Sequence, residues 1–468
     1  MTGTHTVTDR SKETDEDRLF DAALNGILYT ERKDYPNYVG GLMVASGRDF
    51  PVTSPVDRSI FFGNFQEPEE GITDRAVEVA IRAFEKWSKI DVAKRTKIFE
   101  DALGVIKRQK YRFAAILTVS VGMVRSESIR EVGRLIEVLE EACRNIRVAK
   151  GKPTGVWAVV SSYNSPLASP MGYAMTAMLA GNAVVMMPSK YSPFPIYMMY
   201  DILVSAGLPD GLLNLILDRN GKATDSLVNN PDIAGIIAVG SGKRMEDMMF
   251  MQADGSIGFI NEIKGMNPIL VYKPSSIKET AKAIIGSAFS YGGQSLYSCS
   301  KVIVMAEEQK SLMDALLVEA KRIVVGDPAE PGTTIGPVIS ESQMQEFLKY
   351  VQSVKDNLIF GGKQVKDETT EAGFFVIPAI VMGLSEEHDL NNMDYALPIL
   401  SVQTVGSLED AWEAINTSEY GLSAGIFSRI DKAVEMFKEN VQADHIFVND
   451  FDGMEPIASE ARIENFLK

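Results

Sequence analysis

From Gly151 onward the sequence alternates short, predominantly apolar runs with stretches of helical periodicity. The runs Gly155–Ser161, Asn182–Met187, Leu213–Leu217 and Ile233–Val239 carry no polar alternation, as expected of strands covered on both faces. Between them, Ala174–Leu179, Pro195–Ala206 and Thr224–Asn229 read as helices, the middle one stopped by Gly207, Pro209 and Gly211. Strand and helix in strict alternation demand a parallel, doubly wound sheet. The style repeats further on. Pro268–Tyr272, Ser300–Val304, Ile323–Val325, Val376–Val381 and Ile446–Val448 read as strands. Ile277–Ala288, Lys310–Lys321, Glu341–Asp356, Leu408–Ile415 and Asp431–Glu439 read as helices. The fold class is α/β, with two such domains and a ligand site expected between them.

The first third is different. A polar, acidic tail and a short helix (Glu16–Tyr29) precede strand-like pieces at Tyr38–Val44 and Phe50–Ser54, which fit a hairpin or arm. Four helices follow: Thr73–Ser88 with Thr73 as N-cap, Val92–Gln109, Tyr111–Val121, and the long amphipathic Ser126–Arg147. At 468 residues, and with about 150 per domain as a prior, two or three domains are expected. The boundaries read as a tail and helix over 1–35, a first domain over 36–125 and 148–258, a helix over 126–147 leading to an assembly arm, a second domain over 259–445, and a terminal segment over 446–468.

A formal charge of −16 argues against nucleic acid and anionic membrane as partners. Two cysteines and three histidines supply neither a disulfide framework nor a zinc site, and they suit a reducing, cytoplasmic setting. No run approaches the ~18–20 continuous apolar residues of a membrane span, and the N-terminus lacks a signal peptide's apolar region.

The stretch Tyr291–Val302, YGGQSLYSCSKV, has the form of a loop that delivers a reactive residue into such a site. It joins other motifs in a recognisable order: YNSPLASP at Tyr163–Pro170, AGLPDGLLN at Ala206–Asn214, VGSG at Val239–Gly242, NEIKG at Asn261–Gly265, VGDPAEPGTTIGPVIS at Val325–Ser340 and NTSEYGLSAGIFSR at Asn416–Arg429. Together they resemble the aldehyde dehydrogenase superfamily from about Tyr38 to Asp450. The resemblance implies a Rossmann-type cofactor domain, a catalytic-type α/β domain and a small oligomerisation arm. It also implies NAD(P) as cofactor, an aldehyde or other small molecule as ligand, and a homodimer or tetramer.

The family chemistry needs a thiolate nucleophile, an amide that stabilises the oxyanion, a hydride acceptor and a carboxylate that activates water. By the resemblance, Asn164 stands at the oxyanion amide and Glu262 at the general base. Read without it, Asn164 is an Asx-turn residue and Glu262 a solvated loop carboxylate. The nucleophile is missing. Gly293, Gln294 and Ser295 match the family pattern, but Leu296 follows where the cysteine belongs. Cys299 matches a secondary cysteine of some members and reads as a small core thiol.

Cofactor positions depart as well. Met187 replaces a lysine, and Lys190 replaces the glutamate that binds the adenosine ribose. Gly240 and Ser241 keep the phosphate-side turn, and Ser189, beside Lys190, is a further cofactor-binding candidate. Extra cations at Lys190, Lys243 and Arg244 favour the 2′-phosphate of NADP over NAD, unless they are merely solvated. Asp394 is one methylene short for the nicotinamide-ribose contact, and Ala396 and Leu397 replace an aromatic and a glycine. Three functions fit this pattern: a ligand- or nucleotide-binding pseudoenzyme, an active oxidoreductase with a non-standard mechanism, and a structural or regulatory partner of an active paralogue.

Overall fold

The computed structural model describes residues 14–28, 33–242, 245, 247–248, 257–417, 421–450 and 461–468. Two seven-stranded sheets dominate it. The first runs, edge to edge, Gly258–Ile263, Ile233–Gly240, Val156–Ser161, Ala183–Met187, Leu213–Leu215, Asn37–Val39 and Leu42–Val44. Its first five strands are parallel; the last two form an antiparallel hairpin on the edge. Val156–Ser161 and Ala183–Met187 are buried at every position, which explains why their sequences show no alternation. The helices Ala168–Ala180 and Pro193–Ser205 flank them; the former is buried on every side.

Chain order reverses between Val156–Ser161 and Ile233–Gly240: later strands add on one side of the former, then on the other. Ligands of open α/β sheets bind at the carboxyl ends of strands at such a point. Here those ends deliver Ser162 and Asn164 from one strand and Ser241 from the other.

The second sheet runs Leu358–Phe360, Ala379–Met382, Ile399–Val405, Lys301–Met305, Ile269–Val271, Ser423–Phe427 and His445–Val448. All pairs are parallel except that of the first edge strand. A smaller three-stranded sheet joins Lys33–Tyr35, Phe61–Gln66 and Asp49–Thr53. Among the described residues no helix is long and apolar enough to cross a membrane.

The α/β class and the doubly wound sheets match the sequence expectation, with several local corrections. Thr73 is not an N-cap: the helix Ile72–Trp87 starts from Gly71, at φ 74° and without a side-chain cap, while Thr73 is buried and bonds Ser226 at 2.8 Å. Ile323–Val325 is no strand; only a single bridge joins Val325 to Ile335. Val376–Val381 is two strands, because Pro378 lacks the N–H that a continuous ladder would need. Strands at Phe61–Gln66, Ile399–Val405 and Ser423–Phe427 escaped the reading of the sequence.

The most consequential missed strand is Gly258–Ile263, since NEIKG looked like a loop. It pairs with Ile233–Gly240 and so extends the first sheet across the expected boundary at residue 258. Its fit depends on glycine: a Cβ at Gly258 would come 2.8 Å from the Trp157 ring, and one at Gly235 would come 2.4 Å from it.

Candidate functional site

A cavity of about 360 Å³ opens at the point where the first sheet's order reverses. Ser161, Ser162 and Tyr163 form one wall, Met187 to Tyr191 a second, and Asp218 to Gly221 a third; Ser241 lies at the inner end. This is a small-molecule volume, toward the lower end of the usual ~300–1,000 Å³. Met187 is buried and its sulfur lies 3.2 Å from the Thr224 hydroxyl oxygen. Ser189 accepts from the Tyr191 N–H at 3.2 Å, which shapes the turn. Gly240 has φ 142° and a Cβ there would meet Ser162 at 2.4 Å, so only glycine lets the two strand ends approach.

Lys190 lines the cavity and donates to the Arg219 carbonyl at 3.4 Å. Arg219 lines it too, half-exposed and 3.7 Å from Glu67. Arg219 was not singled out in the sequence; its signal was the turn DRNG directly after an apolar strand. Lys243 and Arg244 lie outside the described residues. Asp218 spends its carboxylate on the N–H groups of Asn220, Gly221 and Thr224 and on the Thr224 hydroxyl, so it builds the wall from inside.

Inward of this cavity, Asn164 and the loop Tyr291–Val302 meet. Tyr291 takes left-handed φ/ψ of 51° and 40°, followed by Gly292 and Gly293, also at positive φ. Glu127 holds the turn, its carboxylate accepting from the Tyr291 N–H at 2.7 Å. Gln294 fastens the rest: it accepts from the Ile339 N–H at 2.8 Å and donates to the Tyr291 carbonyl at 2.9 Å. The Asn164 amide donates to the Gln294 carbonyl at 2.7 Å and accepts from the Ser241 and Ser162 hydroxyls. One of its two amide hydrogens is therefore committed to the protein.

Leu296 is 2% exposed and belongs to the core of the first sheet and its helices, with Tyr163, Met171 and Tyr291. The space beside it, reached by Met123, Glu127, Asn164 and Ser295, measures only about 10 Å³. That is about one water. Cys299 lies in the other core, among Ile269, Val302 and Val304. Its thiol donates to the Lys301 carbonyl at 3.2 Å, and burial pushes it up to about 12. A thiol there is protonated at neutral pH and is a poor nucleophile.

Glu262 sits on the strand Gly258–Ile263, 3% exposed, and its carboxylate accepts from the Tyr173 hydroxyl at 2.6 Å. The loop carboxylate weighed in the sequence is thus a buried strand residue.

Just beyond the strand, Lys264 turns inward. Its ammonium meets the Asp394 carboxylate at 2.8 Å, with side chains 0% and 2% exposed. It also donates to the Ser298 hydroxyl at 3.0 Å and carbonyl at 3.2 Å. Asp394 accepts in addition from the Ser300 hydroxyl and the Ala396 N–H. Ala396 follows at φ 52°, and Leu397 is packed into the second lobe.

The helix Arg125–Asn145, read from the sequence only as leading to an assembly arm, contributes groups to the site. Glu131 accepts from the N–H groups of Leu167 and Ala168, at 3.3 and 2.8 Å, which caps the helix Ala168–Ala180. Arg134 pairs with it at 3.4 Å. Burial pushes the Glu127 carboxyl up to about 7, against the lowering effect of the hydrogen bonds from Tyr291 and Ser290. No spacing rule marks these residues; only the packing of this helix against Ala168–Ala180 turns them inward.

The fit to a dinucleotide is therefore uneven. The outer cavity, with its serines, glycine and cations, suits a nucleotide. At the inner end the groups expected to meet nicotinamide ribose and substrate are already engaged, Asp394 by Lys264 and Asn164 by Gln294.

Comparison with known proteins agrees with the architecture. The family model described as "Aldehyde dehydrogenase family" matches residues 43–459. A 1-pyrroline-5-carboxylate dehydrogenase of Geobacillus sp. (strain WCH70) is 26% identical over 455 residues, covering 92% of this chain and 88% of that protein. A malonate-semialdehyde dehydrogenase of Bacillus cereus (strain AH187) is 28% identical, covering 90% and 91%. A crystal structure of 1-pyrroline-5-carboxylate dehydrogenase from Thermus with bound NAD superimposes with a TM-score of 0.88 at 23% identity, covering 100% of this chain and 98% of that one.

Proposed function

The chain belongs to the aldehyde dehydrogenase family, and from that premise we propose that it is a nucleotide-binding member that does not oxidise aldehydes through a covalent thioester. The observation that carries this reading is the pair Leu296 and Cys299. A leucine stands at the nucleophile position, and the nearby thiol faces the other core, held protonated by burial. Thioester chemistry needs a thiolate beside the oxyanion donors. Here the donor amide of Asn164 bonds the Gln294 carbonyl, and the space beside Leu296 is water-sized.

The ligand is an adenine nucleotide bound in the 360 Å³ cavity. Lys190 in place of a carboxylate, with Arg219 on the adjoining wall, favours NADP over NAD. Self-assembly as a dimer or tetramer is part of the reading; Leu42 and Met43, 71% and 73% exposed on the edge strand of the first sheet, are the apolar surface for it.

The test is NAD(P)H formation across an aldehyde panel that includes 1-pyrroline-5-carboxylate and malonate semialdehyde, the compounds in the names of the similar dehydrogenases. No turnover above background is expected. Turnover that Glu262→Gln abolishes overturns the proposal in favour of an active, non-covalent oxidoreductase. Calorimetry tests the cofactor: NADP binds more tightly than NAD, and Lys190→Glu reverses the order. Light scattering that finds only monomer removes self-assembly.

A further inference from the structure

The two ends of the cleft differ in a way that decides how much of a ligand can enter. The outer end is a cavity of about 360 Å³, while the inner end beside Leu296 measures about 10 Å³. The Lys264–Asp394 contact adjoins them: the Lys264 N–H donates at 2.8 Å to the carbonyl of Gly240, next to Ser241 of the outer cavity. Asp394 is the carboxylate that the resemblance assigns to the nicotinamide ribose, yet it is 2% exposed and carries three protein donors: the Lys264 ammonium, the Ser300 hydroxyl and the Ala396 N–H. The Lys264 ammonium is filled as well, by Asp394 and by both oxygens of Ser298. Tyr163 lines the outer cavity and feels Asp394, its hydroxyl pushed up by burial, by Tyr191 and by that carboxylate.

Resting on the nucleotide-binding reading above, we propose that the cleft binds the adenosine end of a ligand and excludes a nicotinamide nucleotide, because the Lys264–Asp394 ion pair fills the place of the second half. The pair is an internal substitute for a ligand group. A ribose hydroxyl entering there has to displace an ammonium from a carboxylate, their side chains 0% and 2% exposed. That leaves one buried charge unpaired, which is strongly unfavourable. The outer half has no such occupant. A mononucleotide such as ADP keeps every contact that the cleft offers to NAD, and NAD leaves its nicotinamide half outside.

The experiment compares matched ligands by calorimetry on the full chain: ADP with NAD, adenosine 2′,5′-bisphosphate with NADP, and nicotinamide mononucleotide alone. In each pair the affinities are expected to agree within about threefold, and nicotinamide mononucleotide is expected to be silent. NADH bound to the protein keeps the nicotinamide emission of free NADH. A dinucleotide that binds more than about threefold tighter than its matched half, or an enhanced nicotinamide emission, overturns the inference while leaving nucleotide binding intact. Binding by none of the four adenine ligands overturns both.

The variant Lys264→Ala with Asp394→Ala removes both charges together and so avoids a stranded ion. If circular dichroism shows it folded, NAD gains over ADP by at least about tenfold. An unchanged ratio in that folded variant also overturns the inference. The comparison on the unmodified chain stands whether or not the variant folds.

Discussion

Residue by residue, the site is defined by what its polar groups are already bonded to. Leu296→Cys restores the family's reactive atom but not its setting, because Asn164 still donates to Gln294 and the adjoining space still holds about one water. Mass spectrometry after exposure to an aldehyde and a cofactor is expected to find no acyl adduct on that variant; an adduct shows the site to be competent. Glu127 gives a pH signature. Its carboxyl is raised from 4.5 to about 7 by burial, so the folded protein disfavours the charged form. Raised acids bind more protons folded than unfolded, so stability falls as pH rises from about 4.5 to 7 and levels off above. The span corresponds to about 3 kcal/mol at most. Glu127→Gln keeps an acceptor for the Tyr291 N–H and removes the charge. Its melting temperature relative to the unmodified chain is expected to be higher at pH 8 than at pH 5. A pH-independent difference refutes this assignment.

The elements show why the loop Tyr291–Val302 is rigid. Its turn needs positive φ at Tyr291, Gly292 and Gly293, and a Cβ at Gly293 would lie 2.7 Å from the Leu397 carbonyl oxygen and from Pro398. Gly293→Ala is therefore expected to cost at least about 1–3 kcal/mol through strain and clash together, measured as a lowered melting temperature. The C-terminal segment is tied as firmly. Lys152 and Lys468 exchange two backbone bonds of 2.8 Å, the Asn182 amide donates to the Phe466 carbonyl at 3.0 Å, and Phe466 packs edge-on against Trp157 at 4.9 Å. Phe466 is fully buried, so Phe466→Ala is expected to destabilise the first lobe by about 3–5 kcal/mol. An unchanged melting curve would show that this segment does not stay docked.

At the scale of the whole molecule, the two large sheets have largely separate cores, and the outer cavity lies at the first of them. A ligand of the outer cavity touches only the first sheet's loops. At a hundred times its Kd, a nucleotide is expected to add about 2.7 kcal/mol to the unfolding of that lobe. Scanning calorimetry should show the lobe's transition moving upward with ADP while any separate transition of the second lobe stays in place. Equal shifts in both would mean that the lobes unfold as one unit.

The sequence by itself determined the framework. The apolar runs at Gly155–Ser161, Asn182–Met187 and Ile233–Val239 specify strands buried on both faces, since a local pattern of side chains encodes a local conformation. Helix Ile277–Ala288 begins and ends where its pattern does. The absence of a cysteine at 296 is likewise a fact of sequence. The reach of that absence was settled by the tertiary structure. Strand Gly258–Ile263 was hidden because its mixed composition becomes a strand only through pairing with Ile233–Gly240. Asp394 is 130 positions from Lys264, and no pattern in either neighbourhood announces the other. Which charges neutralise each other in a dry interior depends on distances of a few ångströms between segments remote in sequence. The fold alone supplies those distances.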